Sequence, residues 1–438
     1  MTSPLLWLYR ALFTPALVAL APRYGFRMIR RGGYGPGFSQ RLGWLAPLPP
    51  PTPGRTRVWV QAVSVGELLA LGPVLRGLHA AGAEIVLTTT TSTGRRLAAE
   101  RYGTLASTLA YFPLDAWPCS AAAWRALRPQ LVVLAEGERW PEHVHQAERR
   151  GVPVVCVNAR LSDRSFRRLS RVPGLAPLVL GRHTRFLAAS ALDATRLVRL
   201  GVGEDRVSLT GNLKLDVTPR PCPPAEQARL RRDLGLGAGP LLLGASTWPG
   251  EEAALLAAWR HARAQGLEAQ LLLVPRHAER RAEVQQTLAA AGVRSHFRTH
   301  GPAPAPVEVA VADTTGELAL LTHLADVVFV GKSLPPHTEG QSPVEAAALG
   351  KTLLLGPGMS NFRTVAGELL AAGAAETVAT PAALAAAATQ LLADPAARAT
   401  RGQAAEAWHA RNRGATERTL AALQPFLTTP TAPERSGG

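Results

Sequence analysis

At 438 residues with 47% hydrophobic content, the chain can bury a large core, and its length favours two domains over one small module. Three cysteines, odd in number and without Cys-x-x-Cys spacing, exclude a disulfide framework and a thiolate zinc site, so a reducing cytoplasm is expected. The net charge of +16 is carried by arginine: only Lys214, Lys332 and Lys351 are lysines, and the first 168 residues hold 21 Arg against 9 acidic residues, a local +12. That part of the chain is the one expected to meet an anionic partner.

The first predicted element is the apolar run "PLLWLYRALFTPALVALAP", with 17 residues between Pro4 and Pro22 and the basic flank Arg23, Arg27, Arg30 and Arg31 after it. A secretory signal carries its charge before the apolar core, so residues 1–45 are read as a membrane-associated segment. It is a short anchor with a cytoplasmic C-terminal flank or a helix lying in the interface, the alternative to membrane association being a buried helix. From residue 46 to 212, strand-length runs "RVWVQAV", "EIVLTTT", "QLVVLAE", "VPVVCVNA" and "RFLAAS" alternate with Ala/Leu-rich helical stretches. This is the pattern of βα units on a parallel sheet.

Prolines punctuate "VTPRPCPPAEQ", marking a linker at 213–238. The alternation restarts over 239–425 with "PLLLGAS", "AQLLLVPR", "EVAVADT", "DVVFVGKS" and "TLLLGP", and residues 426–438 read as a disordered tail. The fold class is therefore α/β, with two doubly wound, Rossmann-like lobes and an interdomain cleft. Ligands are expected beyond the carboxyl ends of the strands.

Two motifs fail on spacing. Gly331-Lys332-Ser333 and Gly350-Lys351-Thr352 suggest phosphate loops, but a Walker sequence needs glycine where the chain has Asp326 and Glu345. No metal-ligand spacing appears among the 11 histidines. The strand ends hold the remaining candidates. "AVSVGELL" places Glu67 behind Ser64 and Gly66, as a helix-capping group or as a base aimed at a cleft. Pro73 makes a continuous helix from Glu67 awkward, which favours a loop or a first turn. Glu136 and Glu138 follow "QLVVLAE", either orienting an acceptor or forming a structural ion pair. Ser246 and Thr247 precede a helix opening with Glu251 and Glu252, and either cap it or hold a phosphate on free amides and hydroxyls. Arg276 and His277, Gly316 and Glu317, Gly331 and Ser333, and Glu345 end further strands. An Arg fork suits phosphate or carboxylate, although a single arginine is more often solvated.

The ordered series Ser64-Val65-Gly66-Glu67, Pro113-Leu114-Asp115, Glu136-Gly137-Glu138-Arg139-Trp140-Pro141, Asn158-Ala159-Arg160-Leu161-Ser162, Gly211-Asn212-Leu213-Lys214-Leu215-Asp216, Ser246-Thr247, Pro275-Arg276-His277, Asp313-Thr314-Thr315-Gly316-Glu317-Leu318 and Glu345 resembles the Kdo transferases. These enzymes move 3-deoxy-D-manno-octulosonic acid (Kdo) from CMP-Kdo to the lipid A precursor of lipopolysaccharide. The resemblance implies a GT-B glycosyltransferase with acceptor on the first lobe and CMP-sugar on the second, inversion at the anomeric carbon, and no cofactor or metal. It implies Glu67 as general base and Glu345, Gly316 and Glu317 as nucleoside contacts. Lys214, Arg276 and the amides after Ser246 would neutralise the phosphate. The partners so implied are CMP-Kdo, a phosphorylated acylated lipid A precursor and the anionic surface of the inner membrane. Nucleic acid is not among them, since aromatics are 5% of the chain and not interleaved with basic residues.

The chain departs from the family pattern at Glu339-Gly340-Gln341-Ser342, where Gly-Gly-His-Asn is usual. Gln341 can donate and accept but cannot carry charge. Gln61 stands for a usual His, Arg139 for an aliphatic residue and Glu142 for Asn. These changes leave two other readings, a GT-B enzyme using a UDP-sugar and a non-catalytic basic membrane-binding paralogue.

Overall fold

The computed structural model describes residues 4–30, 35–216 and 218–427, which divide into two units, Met1–Asp216 with Gly414–Gly438, and Val217–Arg413. In the first, β1 (Arg57–Ala62), β2 (Glu84–Thr89), β3 (Ala106–Tyr111), β4 (Leu131–Ala135), β5 (Val154–Ala159), β6 (Arg185–Ala188) and β7 (Val207–Leu209) build one parallel sheet in the order β3-β2-β1-β4-β5-β6-β7. In the second, β8 (Leu241–Thr247), β9 (Gln270–Pro275), β10 (Ser295–Phe297), β11 (Val309–Val311), β12 (Val327–Val330), β13 (Thr352–Leu355) and β14 (Ala375–Thr377) form a parallel sheet ordered β10-β11-β9-β8-β12-β13-β14. Winding reverses between β1 and β4 in one sheet and between β8 and β12 in the other. Connections leaving such a pair depart on opposite sides and open a crevice beyond the strand carboxyl ends.

Helices cover both faces, so the central strands are continuous apolar runs buried along their length. In the first unit, Leu68, Leu71, Leu75 and Leu78 of the helix Val65–Ala80 pack on Val58, Val60 and Leu87. On the opposite face Trp59 meets Phe112 and Trp124 with ring centroids 5.6 and 5.5 Å apart, and its indole N–H donates to Thr88. In the second unit Leu255, Trp259 and Ala262 of the helix Glu251–Ala264 cover Leu242, Leu271 and Leu273. Truncating one such leucine to alanine costs about 2–5 kcal/mol.

Two expected boundaries move. The last helix, Ala415–Leu427, belongs to the first unit, whereas 239–425 was expected to form the second lobe throughout. The Asp216 carboxylate accepts the amides of Gly414, Ala415 and Thr416 at this helix start, and Leu423 is buried in the first core. Gly77 makes the approach possible, since a Cβ there would lie 2.3 Å from Leu420. The division falls after Asp216, and the helix Pro224–Asp233 occupies much of the expected linker.

The N-terminal segment is one helix, Pro4–Arg30, running through Pro15 and Pro22, and Pro4–Pro22 is long and apolar enough to cross a membrane. Trp7, Leu8, Leu12, Val18 and Leu20 are exposed, while Leu6 is buried. Its start is fastened to the first unit: Tyr9 donates to Asp115 at 2.7 Å, and Arg10 grips the buried Glu142 at 2.7 and 3.0 Å. The departure at Glu142 is thereby matched by a guanidinium. The basic flank at Arg23, Arg27, Arg30 and Arg31 and the tail from residue 428 lie outside the described side chains; Phe426 and Leu427, expected in that tail, end the last helix.

Candidate active site

Beyond β1 the chain turns at Ser64 into the helix Val65–Ala80, which continues through Pro73, and Glu67 lies in its first turn. Ser64 Oγ accepts the Glu67 N–H at 3.2 Å, while the Glu67 carboxylate accepts the Ser64 hydroxyl at 3.2 Å and the Val63 N–H at 2.8 Å. This is a capping-box arrangement in which the carboxylate reaches the amide of Val63, one residue before the N-cap. Capping leaves lone pairs of the carboxylate unused, because two oxygens offer about four acceptor sites. Gly66 keeps the approach open, since the nearest atom to a Cβ placed there would be Ser64 Oγ at 3.9 Å.

The adjacent strand β4 brings two more carboxylates. Glu136 holds a left-handed backbone, φ 51°, and its Oε1 lies 2.5 Å from Lys214 Nζ and 3.3 Å from the Asn158 amide. Glu138 accepts the indole N–H of Trp140. Withdrawal from water and then the charge of Glu67 push the Glu138 carboxyl up to about 8. Burial, with the charge of Glu136, likewise raises Glu67, against the Val63 and Ser64 hydrogen bonds and Lys214. The family resemblance places Lys214 among the donor contacts. It is seated in the first unit, because Leu213 and Leu215 bury their side chains on either side of it and Asn212 caps the turn. A proton can thus be exchanged at a half-buried carboxylate of raised affinity beside a fixed ammonium.

The second unit treats its strand ends differently. Glu251 is buried, and its carboxylate accepts the amides of Trp248, Lys332, Ser333 and Leu334 at 2.8–3.1 Å. It thereby ties the end of β8 to the end of β12. Thr247 is fully buried and donates to Glu252 at 2.7 Å, and Arg280 holds Glu252 at 2.7 and 3.1 Å. The free amides and hydroxyls expected after Ser246 are in this respect committed within the protein.

Ser333 is fully buried, donating to the Val330 carbonyl at 2.5 Å and accepting from Gly356 N–H at 2.9 Å, so its hydroxyl is structural. Gly331 allows close packing: a Cβ would lie 2.3 Å from the Ser246 carbonyl. Glu317 is gripped by Arg298 at 2.8 Å through both oxygens and lowered by that hydrogen bonding, while Gly316 sits at φ 88°.

The side chains left facing outward are Arg276 and His277 at the end of β9, with Gln341 and Glu345 partly exposed beyond β12. Burial raises the Glu345 carboxyl. Trp248 stands over this region with His277 edge-on at 5.4 Å. Sequence reading did not single out Trp248, Arg280 or Arg298, whose partners are brought near by the fold. Among the described residues no cluster of three or more His, Cys, Asp or Glu side chains could hold a metal ion.

Comparison with known proteins bears on this geometry. A model of the family described as 3-Deoxy-D-manno-octulosonic-acid transferase (kdotransferase) matches residues 36–217. The 3-deoxy-D-manno-octulosonic acid transferase of Bordetella pertussis is 35% identical over 437 residues, covering 95% of this chain and 99% of that protein. The Haemophilus influenzae protein of the same name is 30% identical and covers 95% of each chain. Among solved structures, UDP-GlcNAc 2-epimerase from Neisseria meningitidis bound to UDP-GlcNAc superposes with a TM-score of 0.57 at 14% identity, over 84% of this chain and all of that one. That last likeness concerns the fold alone.

Proposed function

The chain belongs to the 3-deoxy-D-manno-octulosonic-acid transferase family, and from that premise we propose that it transfers Kdo from CMP-Kdo to a phosphorylated, acylated lipid A precursor with Glu67 as general base. The observation that carries this reading is the group of Glu67, Glu136, Glu138 and Lys214 at the β1/β4 switch point. An acceptor hydroxyl attacks the anomeric carbon of Kdo, the bond from that carbon to the phosphate oxygen breaks, and CMP departs with the electron pair. Glu67 takes the hydroxyl proton as the new glycosidic bond forms, and direct displacement inverts the carbon. Its raised proton affinity suits the task, since a base closer to the working pH takes a proton more readily. Lys214 pairs with Glu136 and offsets the negative charge around the base.

On the donor side, Arg276 and His277 face the phosphate, and Glu345 meets the ribose hydroxyls or cytosine. Gly316 leaves room for backbone approach to the nucleoside, because no atom lies within 4 Å of a Cβ placed there. The apolar helix Pro4–Pro22, with Trp7, Leu8 and Leu12 outward, holds the enzyme at the inner membrane, where an acylated acceptor resides. Incubation with freshly generated CMP-Kdo and a tetraacylated bisphosphorylated precursor, followed by mass spectrometry, tests the reaction. Product at the mass of one or more added Kdo residues is expected. Absence of product under conditions where the Bordetella pertussis relative yields it would overturn the substrate assignment.

A further inference from the structure

Lys332 is the one lysine the foregoing chemistry does not use that stands at a switch point, at the carboxyl end of β12. Its backbone is left-handed, φ 60°, a conformation glycine adopts without strain and other residues resist. The strain is held in place from both sides: the Lys332 N–H donates to Glu251 at 2.8 Å, and its carbonyl accepts the Gly340 N–H at 2.8 Å. The side chain is directed by this backbone to a defined spot. Nζ lies 4.2 Å from the centroid of the Trp248 ring and 3.3 Å from Glu339 Oε1. Trp248 is in turn flanked by His277, from the end of β9, and by His337 at 5.9 Å. One ammonium therefore sits where the ends of β8, β9 and β12 meet.

A structural ion pair with Glu339 would not need this placement. Glu339 is itself 43% exposed, and exposed pairs contribute little. Meanwhile the segment 339–346, which contains the donor candidates Gln341 and Glu345, holds no cationic side chain. A nucleotide ester of an ulosonic acid carries two anionic groups, a phosphate and a carboxylate, and needs cationic or N–H partners for both. Resting on the donor assignment above, we propose that Lys332 is a donor-binding residue whose ammonium, preset on the Trp248 face, receives an anionic group of the sugar nucleotide, with Glu339 as its resting partner in the empty site.

The test uses the full-length protein and Lys332→Met, Lys332→Arg, Lys332→Gly and Glu339→Gln, measuring KM and kcat for CMP-Kdo and calorimetric binding of CMP and of cytidine. In Lys332→Met, KM for CMP-Kdo rises at least tenfold while kcat changes much less, and Lys332→Arg recovers part of the loss. Lys332→Gly shows the same rise in KM with thermal stability at or above wild type, because glycine suits that backbone. This separates the effect from misfolding. Glu339→Gln leaves KM unchanged or lower, because it frees the ammonium; a purely structural tie would make it mimic Lys332→Met.

If CMP binding falls in Lys332→Met while cytidine binding does not, the group received is the phosphate. If CMP binding is unchanged and only KM for CMP-Kdo rises, it is the sugar carboxylate. Unchanged KM and CMP affinity in Lys332→Met, or an equal loss in Glu339→Gln, overturns the inference. A wild-type protein that neither binds CMP nor consumes CMP-Kdo overturns the donor assignment itself, and this inference with it.

Discussion

At the β1/β4 switch point, Glu67, Glu136 and Glu138 crowd together with Lys214 as the ammonium among them, and Glu67 and Glu138 hold protons more tightly than free carboxyls. At the β8/β12 switch point, Glu251 accepts four backbone amides, and Glu252 is clasped by Arg280 and Thr247. Nearby, Glu317 is clasped by Arg298. The same topological position thus receives opposite electrostatic treatment. A carboxylate whose oxygens accept several backbone N–H groups ties the strand ends together and serves as a brace. One crowded by like charge and partly withdrawn from water is poised to take a proton.

The largest expected effect comes from removing the brace. Glu251→Leu strands the amides of Trp248, Lys332, Ser333 and Leu334, each costing about 1–3 kcal/mol when left unpaired. A loss of about 4 kcal/mol or more is expected in denaturant unfolding, with Glu251→Gln costing roughly half as much because one oxygen still accepts. Arg280→Leu leaves the buried Glu252 without its guanidinium and should lower stability by about 3 kcal/mol. If either variant unfolded like wild type, the second switch point would not be the braced one.

The pH dependence differs between the units, with Glu345 of the second, raised by burial, sharing the sense of the first. Glu138, pushed up to about 8, and Asp115, pushed up to about 7 by burial, keep their protons in the folded state at pH values where the unfolded chain has lost them. The first unit should therefore lose about 1–3 kcal/mol as pH rises from 5 to 8. Glu317, lowered by Arg298, acts in the reverse sense, as does Asp313, where the Thr299 hydrogen bonds and Arg281 outweigh burial. The stability they contribute is present above the ordinary carboxylate range and lost as pH falls below about 4. Amide exchange followed unit by unit across pH reads both trends; parallel curves for the two units would erase the distinction. The smallest effect is kinetic. Lys214→Met removes a charge that lowers Glu67, so the pH at which the transfer rate rises should move up, read from a pH–rate profile beside wild type.

The ten apolar runs read from the sequence are the interior strands of the two sheets, and the four strands it did not reveal, β3, β7, β10 and β14, are the edges. The reason is burial. An interior parallel strand is covered on both faces and written as an unbroken apolar run, whereas the first four residues of β3 are partly or fully exposed and β7, β10 and β14 are three residues long.

The candidate site divides along similar lines. Ser64, Glu67, Glu136 and Glu138 were legible because each follows a strand directly. The pairing of Lys214 with Glu136 and of Arg298 with Glu317 was not, since it depends on which strands become neighbours. Likewise Ala415–Leu427 falls in the sequence next to the second lobe, and its place in the first unit is set by Asp216, almost two hundred residues earlier in the chain.

The central claim is that Glu67 accepts a proton as well as capping its helix. Glu67→Gln separates the roles, because the amide oxygen can still accept the Val63 N–H while the group can no longer take a proton. Single-turnover transfer of Kdo to the lipid A precursor by wild type and Glu67→Gln, with a thermal melt of each, is the direct measurement. The account predicts an unchanged melt and a rate reduced about 10²–10⁴-fold. A folded Glu67→Gln that transfers Kdo at the wild-type rate would contradict it and leave Glu67 as a cap alone.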